Sequence, residues 1–169
     1  MDPTIQHVGG MLEILARLTV AMLIGCILGL NRELHGKPAG VRTHGLVALG
    51  AALLTITGVQ LSWLGGKADY AAVSRTIQGI ITGIGFLGAG VILRDDLKLS
   101  VHGLTTAASI WLSACLGIAC GVGFWITAVM TLGLTLLILI FGGPFELAVH
   151  RRFQRRDALS GEDPPKDNC

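Results

Sequence analysis

Long apolar runs separated by short polar stretches make up most of the chain. Because an apolar helix of about 20 residues crosses the hydrocarbon core of a bilayer, the pattern predicts about five transmembrane helices. Charged residues cluster between the runs, and most runs lack the polar outer face that a helix in a water-soluble domain needs. We therefore expect an all-α fold and a polytopic membrane protein. The predicted spans are residues 11–30, 43–64, 74–93, 102–120 and 124–141.

The positive charges are distributed unequally between the two sides that these spans would separate. Ten of the 13 Lys and Arg residues lie in the loops after the first and third spans and in the C-terminal tail. Since cytoplasmic loops of membrane proteins carry an excess of Lys and Arg, the N-terminus is expected outside and the C-terminus in the cytoplasm. Trp63, Tyr70 and Trp125 then fall near the outer interface, where aromatic side chains are enriched.

Three regions follow from this pattern. Residues 1–143 are expected to form the transmembrane domain. Residues 144–158 mix apolar side chains with arginines, which predicts a basic helix lying along the inner leaflet and held by anionic lipid. Residues 159–169 combine prolines with mixed charge, which is typical of a disordered tail.

Composition supports the membrane class and indicates how the helices pack. Apolar residues make up 51% of the chain and charged residues 14%, and the net charge of +2 is too small to indicate a nucleic-acid binder. Small residues allow the close backbone approach by which helices associate in lipid. The third and fourth spans are small on nearly every face, so we expect them at the centre of the bundle. A homodimer is expected to cover the remaining small faces, unless each meets another helix of the same chain.

The sequence holds no pattern that indicates an enzyme. It contains no nucleophile–base constellation, no Walker-type phosphate loop and no metal-ligand spacing of His or Cys, so neither catalysis, a cofactor nor a bound metal is expected. The glycines of residues 83–88 match a dinucleotide motif by letter only, because they lie within a predicted membrane helix. A magnesium transporter is disfavoured as well, because Mg²⁺ is held by carboxylates and Glu13 is the one acidic residue within a predicted span.

Polar residues that could bind a ligand concentrate at the predicted cytoplasmic side. The second and fourth spans both begin there, and helix N-termini present unpaired N–H groups and a positive dipole end. With the surrounding cations they predict a pocket for an anion, a phosphorylated metabolite or an acidic partner segment. The alternative is that these residues only anchor the loops and cap the helices. The candidate residues are Arg32, Glu33, Lys37, Arg42, Thr43, His44, Arg94, Thr105 and Thr106.

A second polar cluster is predicted on the opposite side, where Asp69, Arg75 and Gln78 lie at the entrance to the third span. Arg75 and Gln78 are about one helical turn apart and share a face. Arg75 is expected to pair with either Asp69 or Glu13. Structural pairing is the simpler interpretation, although a charged group that enters a membrane bundle is also a functional candidate.

Three ordered motifs make the chain similar to the MgtC/SapB family of bacterial inner-membrane proteins. They are Arg32-Glu33 with residues 37–44, then Arg75 and Gln78-Gly79 with residues 83–92, and then residues 103–111. The resemblance covers about residues 11–143. Members that resemble MgtC carry a cytoplasmic C-terminal domain of ACT-like fold, so this chain is expected to correspond to the short, SapB-like form.

The resemblance implies a protein linked to growth in low magnesium and, in some pathogens, to survival inside macrophages. It also implies F-type ATP synthase as a possible partner and membrane potential as the property controlled. The leading hypothesis is therefore a regulatory inner-membrane protein that binds a partner or a small anion. The alternative is a dimeric ion or small-solute transporter or channel, with a polar seam between the third and fourth helices.

Overall fold

The structure, a computed structural model, describes residues 10–63, 69–95 and 100–160, with side chains described at residues 10–63, 69–92 and 101–143. The chain divides into two compact units, residues 1–132 and residues 133–169. The elements are α1 (Met11–Leu34), α2 (Val41–Ser62), α3 (Tyr70–Gly90), β1 (Leu93–Asp95), β2 (Ser100–His102), α4 (Leu104–Val122) and α5 (Trp125–Ser160).

The predicted fold class is confirmed, because helices dominate and their surfaces are apolar. In the described part of the chain, α1, α2, α4 and the Trp125–Gly143 part of α5 are long and apolar enough to cross a membrane. Large apolar side chains are exposed on them, among them Leu46 and Ile126 at 69% and 78%. Such a surface suits contact with lipid rather than water. The remaining helix, α3, is not among these candidate spans, and Arg75 and Gln78 lie within it.

The first unit contains α1 to α4 in an up-and-down arrangement. Arg32 at the end of α1 contacts Thr106 at the beginning of α4, whereas Arg17 near the beginning of α1 contacts Gly121 near the end of α4. The end of the bundle at which α2 and α4 begin is called the inner end here, because the charge distribution predicts that it faces the cytoplasm. The opposite end is called the outer end. The orientation in the membrane itself stays a prediction.

Glycines bring α1, α2 and α4 into backbone contact. A Cβ atom at Gly25 would lie 2.5 Å from the His44 carbonyl oxygen, and one at Gly29 would lie 2.6 Å from the Gly40 carbonyl oxygen. Gly117 and Gly121 of α4 face α2 in the same manner. Such close approach is how membrane helices gain van der Waals contact without a hydrophobic driving force between them.

The expectation that the third helix lies at the centre of the bundle is wrong. The helices that pack most extensively are α2 and α4, and α3 contributes Ile84 as its single buried residue among those described. Cβ atoms added at Gly79, Gly83 and Gly85 would meet nothing within 4 Å. The contact face of α3 consists instead of larger side chains, because Ile84 joins Ile110 and Ala114 in the core.

A short hairpin joins α3 to α4, where the sequence predicts a loop between a span that ends at residue 93 and one that begins at residue 102. Strands β1 and β2 pair antiparallel, with Leu93 opposite His102 and Asp95 opposite Ser100. Gly103 follows with a φ of 90°, a conformation that side chains other than glycine rarely adopt. A Cβ atom there would also collide with the Val91 carbonyl oxygen. The hairpin therefore sets the residue at which α4 begins.

The second unit, residues 133–169, contains the remainder of α5, which continues to Ser160. Its backbone is helical through residues 144–158, where a basic helix was predicted. The side chains of residues 144–160 and the whole of residues 161–169 lie outside the described part. The predicted membrane contact of the basic helix, the predicted disordered tail and the three domain boundaries stay predictions.

Candidate functional site at the inner end

The inner end is built around Arg32, which lies in the last turn of α1. Its side chain is 5% exposed, and its Nη2 donates a 2.6 Å hydrogen bond to Oγ1 of Thr106. Its Nε is buried and has no hydrogen-bond partner in the described part of the chain. No carboxylate among the described side chains forms an ion pair with it. Among the described residues, the Thr106 hydroxyl is the one hydrogen-bond partner of this guanidinium, and burying a guanidinium is costly unless its charge and donors are satisfied.

His44 lies beside Arg32 and joins α2 to α4. Its ring is fully buried, with Nδ1 3.1 Å from the Gly40 carbonyl oxygen and Nε2 3.1 Å from Oγ of Ser109. A neutral ring with its hydrogen on Nδ1 donates to the Gly40 carbonyl oxygen and leaves Nε2 as an acceptor facing the Ser109 hydroxyl. That hydroxyl has one hydrogen, and the Thr106 carbonyl oxygen, 2.8 Å away, competes with Nε2 for it. Arg32, Thr106, Ser109 and His44 therefore form one polar cluster, called the inner cluster below.

Glu33 lies beside Arg32 in the sequence but binds elsewhere. Its Oε2 accepts a 3.1 Å hydrogen bond from the backbone N–H of Val41, which is the first residue of α2. A Cβ atom at Gly40 would lie 2.5 Å from the same oxygen, so a side chain there would displace the Glu33 carboxylate. A carboxylate at a helix N-terminus satisfies an unpaired donor and interacts favourably with the dipole. Glu33 thus fastens the end of α1 to the beginning of α2.

Most of the other residues predicted for the cytoplasmic pocket are exposed, and one lies outside the described side chains. Thr105 is exposed although its neighbour Thr106 is buried, because α4 turns the two side chains to different faces. The side chains of Lys37, Arg42 and Thr43 are also exposed, around the same end of the bundle. The side chain of Arg94 lies outside the described part. The structure therefore brings Arg32, His44 and Thr106 together and leaves the remaining described cations at the surface.

At the outer end, Arg75 pairs with Asp69 rather than with Glu13. Its Nη2 lies 3.4 Å from Oδ2 of Asp69, and both side chains are more than half exposed. Oδ1 of Asp69 accepts hydrogen bonds of 2.9 and 3.1 Å from the backbone N–H groups of Ala71 and Ala72, which caps α3. Gln78 is exposed on the same helix.

Arg17 has a role that sequence analysis missed. It is 3% exposed, forms an ion pair with Glu13, and donates a 2.7 Å hydrogen bond from Nη1 to the Gly121 carbonyl oxygen. A cation at a helix C-terminus satisfies a free carbonyl and the negative dipole end together. The spacing of four residues places Glu13 and Arg17 on one helix face, but nothing in the sequence indicated the contact of Arg17 with α4.

Ser109 is the other missed residue, because its small size was interpreted as a packing feature. The spacing of three residues between Thr106 and Ser109 was the available signal, since such residues share a helix face.

Among the described residues, no three His, Cys, Asp or Glu side chains are close enough to hold a metal ion. The described inner cluster is therefore built of cationic and hydroxyl groups, which suit an anion.

Comparison with known proteins places these features in a family context. The MgtC family matches residues 18–147 of the chain. Protein SrpB of Synechococcus elongatus is 44% identical over 78% of this chain and 75% of its own length. Protein SapB of Bacillus subtilis is 42% identical over 67% of this chain and 49% of its own length.

Protein MgtC of Salmonella typhimurium is 41% identical over 67% of this chain and 45% of its own length. The chain thus spans about half the length of SapB and MgtC. No solved structure matches it.

Proposed function

Because the chain belongs to the MgtC family, we propose that it is a regulatory protein of the bacterial inner membrane whose inner cluster binds an anionic group. The observation that carries the proposal is the burial of Arg32, at 5% exposure, with its Nε unpartnered among the described residues. A guanidinium in such a setting is suited to a carboxylate or phosphate, which its planar donors bind in pairs.

The position of Arg32 strengthens this preference for an anion. It lies at the end of the bundle where α2 and α4 begin, and the positive dipole ends of both helices are directed there. Lys37 and Arg42 are exposed around the same end and raise the local positive potential. The bound group is a small anion or an acidic segment of a partner protein.

Close packing favours regulation over transport. Gly25, Gly29 and Gly117 bring α1, α2 and α4 together at distances that leave no space even for a Cβ atom. The alternative hypothesis placed a polar seam between the third and fourth helices. Instead, the bonded hydroxyls Thr106 and Ser109 of α4 contact α1 and α2. These contacts support a bundle that transmits a binding event rather than one that conducts a solute.

The family supplies the physiological context of the proposal. Membership of the MgtC family supports a magnesium-related function, and we propose growth in low magnesium and membrane potential as the properties affected. F-type ATP synthase is a candidate for the membrane partner, and a second copy of the chain is the other. We propose no catalytic activity.

Growth of a bacterium that lacks its own MgtC-family gene, in medium low in magnesium, tests the proposal. We expect the wild-type chain to restore growth and Arg32→Gln to fail, because glutamine retains a donor but not the charge. His35→Gln is the matched control. It lies on the same end of α1, is exposed, and has a ring bonded only locally to the Asn31 carbonyl oxygen. Both variants are compared at equal amounts in the membrane.

Two further measurements separate the possible outcomes. Inorganic phosphate should raise the melting temperature of the purified wild-type protein and of His35→Gln, but not that of Arg32→Gln, if the bound group is a small anion. Growth that depends on Arg32 without this effect assigns the site to a partner segment. Restoration of growth by Arg32→Gln, or rapid ion flux through reconstituted vesicles, would overturn the regulatory proposal.

A further inference from the structure

An open groove lies between α2 and α3, apart from the inner cluster. Its volume is about 580 Å³. Leu46 and Leu54 mark its extent on α2, while Gly79 and Gly83 form part of the α3 wall. Cβ atoms at these two glycines would meet nothing within 4 Å in the described part of the chain. The lack of side chains at Gly79 and Gly83 therefore widens the groove, and no described helix packs closely against them.

The groove is charged at one end and apolar along the rest. Arg75 lines it near the beginning of α3, with its side chain 67% exposed. Thr76 is the other polar side chain among the described lining residues. Its hydroxyl already donates a 3.1 Å hydrogen bond to the Ala72 carbonyl oxygen. A cation at the end of an apolar channel matches an amphiphile with an anionic head and a hydrocarbon tail.

The dimensions of the groove suit one hydrocarbon chain. From Arg75 to Leu87 the groove follows α3 for about 18 Å at 1.5 Å per residue, slightly more than the ~15 Å that one leaflet contributes to the hydrocarbon core. Its volume of about 580 Å³ lies within the range of about 300–1,000 Å³ that is typical of sites for one small ligand.

We propose that this groove binds one acyl chain of a phospholipid from the leaflet at the outer end, with the lipid phosphate held by Arg75. Arginine binds phosphate oxygens through paired N–H donors. Asp69 competes only weakly for these donors, because the two side chains are 3.4 Å apart, exposed and screened by solvent. Its other carboxylate oxygen is occupied in capping α3.

This site is independent of the proposed function, since none of its residues belongs to the inner cluster. A phospholipid in the groove would pack against both α2 and α3. Membrane helices associate by van der Waals packing, and the bound chain would supply the contacts that the α3 glycines do not make.

Native mass spectrometry of the purified full chain, with phosphatidylglycerol as the probe, tests the assignment. Gly83→Leu should fill the groove, because the added side chain enters open space. We expect it to reduce lipid occupancy at least tenfold. Arg75→Gln should weaken binding about tenfold, since it removes charge-assisted hydrogen bonds to phosphate. Gly85→Leu is the matched control, because Gly85 is also open and lies outside the groove lining, and it should bind lipid like the wild type.

A second probe separates the head group from the tail. Diacylglycerol, which has the same chains without the phosphate, should bind wild type and Arg75→Gln equally and more weakly than phosphatidylglycerol binds the wild type. Unchanged lipid occupancy in Gly83→Leu would overturn the proposal. The proposal would also be overturned if Gly83→Leu retained its lipid but changed the protein from a dimer to a monomer. A second copy of the chain, rather than a lipid, would then be the occupant of the groove in the wild type. Equal binding of phosphatidylglycerol by Arg75→Gln and wild type would overturn the phosphate contact.

Discussion

Arg32 on α1 donates a 2.6 Å hydrogen bond to the Thr106 hydroxyl on α4, although 74 residues separate them in the sequence. Both side chains are buried, and no carboxylate pairs with the guanidinium in the described part of the chain. The bond joins two helices at the end where the chain is most cationic. It therefore has both a structural and an electrostatic role, and the two can be tested separately.

Thr106→Val should lower stability by about 1–2 kcal/mol, because valine keeps the shape but leaves a buried charged donor without its partner. The loss is expected as a lower melting temperature of the purified protein. Thr105→Val is the matched control, since Thr105 is the exposed neighbour and should change stability by less than about 0.5 kcal/mol. Equal losses in the two variants would show that the Arg32 contact does not stabilise the bundle.

Gly25→Ala should destabilise the bundle by about 1–3 kcal/mol through overpacking. The added methyl group would lie 2.5 Å from the His44 carbonyl oxygen, and backbone cannot yield as the end of a side chain can. Gly85→Ala provides the comparison, because its methyl group enters open space and alanine gains up to about 1 kcal/mol in helix propensity. Thermal unfolding in one detergent should therefore shift the two variants in opposite directions.

Arg17→Leu should cost about 1–3 kcal/mol, because it removes the ion pair with the partly exposed Glu13 and leaves the Gly121 carbonyl without the Arg17 donor. Arg75→Gln removes the other described ion pair, which is exposed, and should cost less than about 1 kcal/mol. Unfolding measurements on the two variants compare an ion pair whose cation is buried with one whose two side chains are both exposed. If Arg75→Gln costs as much as Arg17→Leu, burial does not determine the value of these pairs.

Cysteine labelling tests the predicted orientation. In a variant without native cysteines, Asp69→Cys should react with a membrane-impermeant maleimide added to spheroplasts, because it lies at the outer end. Lys37→Cys should react only after permeabilisation, since it lies at the end that the positive charges assign to the cytoplasm. Labelling of Lys37→Cys in sealed spheroplasts would reverse the orientation and remove the cytoplasmic location of the inner cluster.

The apolar runs predicted the helices well, because a membrane requires long continuous apolar segments and little else in the sequence produces them. The loops after the first and third helices meet at one end, as alternating spans predict, while the side of the membrane that this end faces stays a prediction. Small residues were less informative. Gly83 of α3 and Gly117 of α4 look alike in sequence, yet only Gly117 contacts another helix of this chain. A missing side chain permits close approach without specifying a partner.

The candidate site was predicted in part for a related reason. Arg32, His44 and Thr106 were all identified, but their separation from the exposed residues depends on where each helix begins. The fourth helix was expected from residue 102 and begins at Leu104, because Gly103 adopts a positive φ beside Val91. That tertiary contact is not encoded in the local pattern. Neither is the contact of Arg17 with α4, since the acceptor is a backbone carbonyl that any residue would supply.

Two arginines of α1 hold α4 at both of its ends, Arg32 at Thr106 and Arg17 at Gly121. The same interval, 15 residues or about 22 Å of helix, separates the two arginines on α1 and the two acceptors on α4. The spacing of the two arginines along α1 therefore matches the spacing of their two acceptors along α4. Deleting one residue between the contact points of either helix would turn one end by about 100° and move it about 1.5 Å. Family members should accordingly vary in side chains within these intervals but not in their length.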